Sequence, residues 1–198
     1  TINSSMAQKS DTILASKSHL ADVTGTDISF TATGTEYKIK STSTSLAGFN
    51  VRDLITVTGT SSNNSTFTVK SEVSANELIV EEVVSTEDAG ASVTLDHTGF
   101  VSTKVKGDGY YNKPDGVHTV AYQVNSTFTH GTDGGIKMQG SLATTPTEDD
   151  YFDIAGTTFT ADQSTLISTA NFTGNFVWIR AKATLVTAGT ISSILLNS

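Results

Sequence analysis

The chain has 198 residues, of which 36% are hydrophobic and only 16% charged, with a formal net charge of −8 at pH 7. That balance argues against sequence-independent binding to nucleic acid, which needs Lys and Arg to neutralise phosphates. The lack of cysteine excludes disulfides, thiolate metal sites and cysteine nucleophiles, and no apolar run approaches the roughly 20 residues that cross a bilayer as a helix.

Serine and threonine make up roughly three residues in ten, and threonine's branched Cβ suits a pleated surface. The expectation is an all-β chain: a small β-barrel or sandwich domain, then an antiparallel jelly-roll-like β-sandwich, preceded by an extended N-terminal arm.

Residues 1–25 read as that arm. Apolar residues are sparse (Ile2, Met6, Ile13, Leu14, Leu20), and their spacing with Ser10 or Asp11 as a cap predicts a short helix over 12–20. Either the segment is poorly ordered, or its apolar anchors order against a partner subunit.

Residues 26–97 read as the small all-β domain. Candidate strands are Ser29–Thr33, Tyr37–Thr42, Leu54–Thr58, Thr66–Ser71, Glu77–Glu82 and Ser92–Leu95. Period-two alternation puts Ile55 with Val57, Phe67 with Val69, and Leu78 with Val80 on shared faces. Loop signals at 61–65 and 74–76 separate these runs. Residues 98–117 read as a connector, because Gly99, Gly107, Gly109, Pro114 and Gly116 cluster there with Asp108 and Asp115. The adjacent Tyr110 and Tyr111 call for a surface to pack on.

Residues 118–198 read as the second module. Val120, Tyr122 and Val124 alternate, as do Ile136, Met138, Gly140 and Leu142. In the run 175–185, Val177, Ile179, Ala181 and Ala183 face one side and Phe176, Trp178 and Arg180 the other. A strand apolar on both faces at its start is central or covered by a neighbouring subunit. The last strand spans 190–196. Together these segments predict a jelly-roll-type sandwich.

The chemistry is sparse. Glu148, Asp149, Asp150 and Asp153 form the densest acidic cluster. Paired carboxylates there suit glycoside hydrolysis and oxygen ligands suit Ca²⁺, but no calcium-loop motif is present. Strand alternation would put Asp149 with Tyr151 and Asp150 with Phe152. A solvated turn entering a strand explains the cluster more simply. His19, His97, His118 and His130 form no metal-ligand pair by spacing, and no nucleophile elbow or phosphate loop occurs. No metal and no cofactor is expected. Tyr110, Tyr111, Tyr122, Tyr151 and Trp178 are the material for a sugar-stacking face, although aromatics on a β face more often serve cores and interfaces.

Two stretches carry a family resemblance. Phe49 to Gly59, Asn64 to Val69 and Asn76 to Val80 are similar to small β modules of phage structural proteins, in which a Gly-Asp turn stands where this chain has Arg52-Asp53. More informative are Ser141-Leu142-Ala143, Asp150-Tyr151-Phe152-Asp153-Ile154 and Gly174-Asn-Phe-Val-Trp-Ile-Arg180. Over residues 118–198 the chain resembles a domain of virion structural proteins of tailed bacteriophages, above all the T4-like phages of marine bacteria. There a tryptophan stands at the place of Tyr151.

The resemblance implies a non-enzymatic virion component at the particle surface, made in the host cytoplasm and released by lysis. Capsid decoration or a head-associated role is the first expectation. Its partners would be the major capsid protein or tail components, and a homo-oligomer, a trimer among the forms, would cover Phe176 and Trp178. A tail-fibre or baseplate module that binds host-surface glycans is the alternative, and a depolymerase using Asp149, Asp150 or Asp153 is a third reading with no motif behind it. Neither nucleic acid nor membrane is an expected partner. The candidate interface or ligand face comprises Tyr110, Tyr111, Tyr151, Phe176, Trp178 and Arg180, and the candidate docking arm Ile2, Met6, Ile13, Leu14 and Leu20.

Overall fold

The computed structural model describes residues 10–111, 116–160 and 166–197. Within them the chain forms β1 (Ser10–Leu14), β2 (Lys17–Ser18), β3 (Val23–Gly25), β4 (Ser29–Thr33), β5 (Glu36–Lys40), β6 (Asp53–Thr58), β7 (Thr66–Ser74), β8 (Glu77–Val80), β9 (Val93–Val101) and β10 (Val105–Lys106). There follow β11 (Val117–Val124), β12 (Thr129–Ser141), β13 (Phe152–Asp153), β14 (Ile167–Thr173), β15 (Trp178–Ala188) and β16 (Thr190–Asn197). The only helical pieces among the described residues are two single 3-10 turns, Asp108–Tyr110 and Glu148–Asp150.

One sheet runs β1-β16-β11-β14, with β2 alongside β16. The facing sheet runs β13-β12-β15, and the end of β9 with β10 completes it on the far side of β15. Eight strand positions in this order, nearly every connection crossing between sheets, make an antiparallel jelly roll. Its core lies between the sheets: Val120, Tyr122 and Val124 from one, Ile136, Met138, Ile179, Ala181 and Ala183 from the other.

The roll is not confined to residues 118–198. Its first strand is the supposed arm. β1 pairs with β16 from Ser10 opposite Asn197 to Leu14 opposite Ile194, and Ile13 and Leu14 are buried in the roll's core. The helix expected over 12–20 does not form. β16 offers an unpaired edge, and the strand built on it buries both apolar side chains inside the chain's own sandwich, which also removes them as anchors for a partner. Leu20 goes elsewhere, packing against the core of the small domain. Ile2 and Met6 lie outside the described residues.

The small domain is therefore inserted in the roll, between its first and second strand positions. Its strands follow the order β9-β6-β7-β8-β5-β4, with β3 on β9, every pair antiparallel. They curl round a second core of Ile28, Phe30, Ile39, Leu46, Phe49, Ile55, Val57, Phe67, Val69, Leu78 and Val80 among others, without closing into a barrel. The alternation read from the sequence holds: Ile55, Val57, Phe67, Val69, Leu78 and Val80 are all buried.

The connector also changes character. β9 runs straight through the expected boundary at 97/98, pairing with β6 and then, at Phe100 and Val101, with β15. Gly99 permits this crossing, since a Cβ there would lie 2.0 Å from the Ala183 carbonyl oxygen. The two parts are further joined by charge. Lys17 Nζ donates to buried Asp53 at 2.9 Å, the Asn50 N–H donates to the same carboxylate at 2.7 Å, and the Leu20 N–H donates to His97 Nδ1 at 3.0 Å. His97 Nε2 faces Asp53 at 3.6 Å.

Candidate functional site

The outer face of β15 gathers five of the six residues expected at a ligand face. Ile179 points into the core, so Trp178 and Arg180 point away from it. β10 lies beside β15 with Val105 opposite Ile179 and Lys106 opposite Trp178. Val105 packs on the core, so Lys104 and Lys106 flank it on the exterior, on the same side as Trp178.

The next residues form the 3-10 turn. Gly107 and Gly109 donate their N–H groups to Val177 and Phe176 carbonyls at 3.1 and 3.0 Å. A Cβ on Gly109 would sit 2.3 Å from the Asn175 carbonyl oxygen, so only glycine lets the turn lie this close to the strand. The turn presents Tyr110 and Tyr111, 44% and 56% exposed. Tyr110 meets Tyr111 and Trp178 edge-on, with ring centroids 5.2 and 5.5 Å apart, a favoured aromatic geometry. Lys106 Nζ sits 4.0 Å from the Tyr110 ring centroid and Lys104 Nζ 4.9 Å from that of Trp178, both within cation–π range. The indole N–H donates to the Thr144 carbonyl at 3.1 Å.

Further along the same face Arg180 is committed to structure. Its Nε donates to Gln139 at 2.9 Å, and its two terminal nitrogens donate to the Glu148 carboxylate at 2.6 and 2.8 Å. This is a bidentate pair of the strong kind. Its guanidinium carbon lies 3.5 Å from the Tyr151 ring centroid. Burial raises the pKa of the Tyr151 phenol, and the Arg180 charge only partly offsets that. Arg180, Glu148 and Tyr151 line a groove of about 590 Å³ whose lining also includes Lys104 and, from the inserted domain, Lys70, Glu81 and Glu82.

The acidic cluster is a turn that leads into a short strand, β13. Thr147 and Asp150 form a capping box around the turn Glu148–Asp150, which overrides the expected alternation. Asp150 accepts from the Thr147 N–H and hydroxyl at 2.7 and 2.8 Å, and the backbone bond foremost holds its pKa below the ordinary carboxylate value. Asp153 accepts from Gln139 and Lys137 at 2.9 and 3.2 Å. Among the described residues no group of three or more His, Asp or Glu could hold a metal ion.

Tyr110, Tyr111 and Trp178 thus come together, and Tyr151 joins Arg180 beside them. Phe176 does not. β15 begins only at Trp178, and the bend at 174–177 turns Phe176 inward, where its ring packs near Phe172 and His118 at 6.3 and 6.1 Å. The chain itself covers it. Tyr122 is likewise internal, its hydroxyl donating to the Thr157 carbonyl at 2.7 Å, and Leu142, just beyond β12, is exposed rather than buried. The residues missed from sequence are Lys104 and Lys106. Their alternation about Val105 was the available signal, masked by the glycines that follow. No protein-family model matches the chain, and no curated protein matches it.

Proposed function

We propose that this chain is a non-enzymatic structural protein of a tailed-bacteriophage virion, exposed on the particle as capsid decoration or a head-associated protein, that binds and stabilises the shell through subunit interfaces. One observation carries this reading. β11, β14 and β16, three adjacent strands of one outer sheet, contain no Asp, Glu, Lys or Arg. Their solvent side carries Val117, Ile167 and Leu195, which are exposed. β14 ends the sheet's strand order. Proteins usually blunt such edges with charge or proline, and β14 has neither. An uncharged face with an uncharged edge suits burial against other virion proteins or further copies of the chain, a trimer included.

Two further features support the reading. Of Asp149, Asp150 and Asp153, the carboxylates a hydrolase would use, Asp150 and Asp153 are held in bonds that build the roll. The resemblance of 118–198 to virion domains supplies the particle. A protein that binds only the assembled shell stabilises it by mass action.

The test is co-sedimentation of purified protein with purified phage heads from the source. The protein is expected to pellet with heads, and Leu195→Glu, which places a charge on the exposed face without touching the core, is expected to abolish pelleting. Wild-type protein left in the supernatant would overturn the reading.

A further inference from the structure

The opposite outer face of the roll has a different chemistry, and it points to a ligand. We propose that Tyr110, Tyr111 and Trp178, with Lys104 and Lys106, form a binding site for a carboxylated polysaccharide. Its pyranose rings lie on the aromatic side chains while its uronate carboxylates meet the two ammonium groups. This inference does not depend on where a particle carries the chain.

Four observations carry it. Tyr110 meets both Tyr111 and Trp178 at the surface, and both tyrosines are about half exposed. Aromatic rings with one apolar face open to water are what the C–H faces of a sugar stack on. The platform is fixed before any ligand arrives, because glycine-backed hydrogen bonds seat the turn on Phe176 and Val177, just ahead of β15, and the indole is tethered to Thr144. A preformed site spares the ordering cost of binding.

The lysines then set the sign of the ligand. In a chain with 12 basic and 20 acidic residues, neither Lys104 nor Lys106 forms an ion pair with a described residue. Both instead rest on the aromatic rings. Each is exposed, so a carboxylate can reach it from solvent. The chain's overall negative charge opposes a nucleic acid duplex, which carries one phosphate per about 1.7 Å of its axis. An acidic peptide would satisfy the ammonium groups but brings no flat C–H face to three rings.

Trp178 is the only tryptophan, so its fluorescence reports on this site alone. The intact chain is titrated with oligogalacturonate, with a neutral oligomannose of equal length, and with poly-glutamate, and calorimetry is run in parallel. Saturable binding of oligogalacturonate is expected, about tenfold tighter than the neutral sugar and weakening as salt rises. The exposed double variant K104Q/K106Q, checked for an unchanged circular dichroism spectrum, is expected to bind oligogalacturonate about tenfold more weakly. Tyr111→Ala is expected to weaken both sugars. No saturable response to oligogalacturonate, or K104Q/K106Q binding it as wild type does, would overturn the proposal. So would an equal response to poly-glutamate, which would make this an acidic-protein contact.

Discussion

The jelly roll and the domain inserted in it use the same strand vocabulary but are closed at very different ranges. In the inserted domain, β4 meets β5 across a tight turn from Thr33 to Glu36, and β7 meets β8 across an equally short one. Every strand of its sheet lies within Val23–Val101. The roll depends instead on β1 pairing with β16, Ser10 opposite Asn197. Closing so long a loop has to be completed before its contacts contribute anything. The part of the chain that comes first in sequence therefore belongs to the domain that finishes last.

The strongest way to break this comparison is at Ile13. It is 2% exposed within the roll's core, so Ile13→Asp places a carboxylate among apolar groups and should destabilise the roll by about 4 kcal/mol or more. Hydrogen exchange is expected to show lost protection in β11, β14 and β16 while β4 to β8 stay protected. Equal loss in both would mean that the two cores unfold as one unit, and the distinction drawn above would fail.

Next in size is Glu148→Ala. The Arg180 side chain is only 5% exposed and would lose two charge-assisted hydrogen bonds without gaining water. The expected cost is about 2–3 kcal/mol, measured by urea denaturation and confined to the roll. Adding Arg180→Met should recover part of it, because the stranded charge is then gone.

Asp53 tests the junction itself. Burial alone would raise its pKa, but the His97 ring beside it and the bonds from the Asn50 N–H and Lys17 outweigh that and hold it below the ordinary carboxylate value. A depressed folded pKa gives stabilisation that is complete above the unfolded value and lost as pH falls through the folded one. Wild-type stability should therefore decline as pH drops below about 4. Asp53→Asn should be weaker than wild type by roughly 1–2 kcal/mol at pH 7, with the gap closing in acid. Denaturation midpoints against pH for the two proteins isolate this group from Asp150 and Asp153. A constant gap would show that the Asp53 charge does not hold the two parts together.

What could be read from the sequence follows the same division. Ile55 with Val57, or Val120 with Tyr122, announce their strands because a period of two is a local property. The pairing of β1 with β16 has no local sign, and Ile13 and Leu14 look alike whether they serve a partner subunit or the chain's own sheet. Phe176 alternates correctly with Trp178 along the sequence, yet the chain bends before β15 begins and sends the two rings to opposite sides of the sheet. Thr147 and Asp150 carried their own signal, a capping box of Thr and Asp three apart, which outranks alternation over so short a stretch. Of the aromatic and lysine cluster beside β15, the tyrosines and Trp178 were visible as exposed-aromatic candidates. Lys104 and Lys106 were not, because glycine density made an ordered strand resemble a linker.

The smallest expected effect sharpens the comparison from the inserted side. Arg52 has φ of 72°, a left-handed conformation that disfavours any residue with a Cβ by roughly 1–2 kcal/mol. The backbone there is fixed from both sides. The Arg52 N–H donates to the Val69 carbonyl at 2.7 Å, and the Val101 N–H donates to the Arg52 carbonyl at 2.8 Å. The conformation therefore cannot relax. Glycine at this turn would carry no such cost. Glycine also gives the unfolded chain more freedom, which takes back part of the gain. Arg52→Gly should accordingly stabilise the inserted domain by about 0.5–1 kcal/mol, seen as slower exchange in β6 and β7 with β11 and β16 unchanged. A loss of stability instead would mean that the Arg52 side chain, which lines the groove facing Arg180 and Tyr151, contributes more through that wall than its backbone strain costs. The groove would then be part of what holds the two domains together.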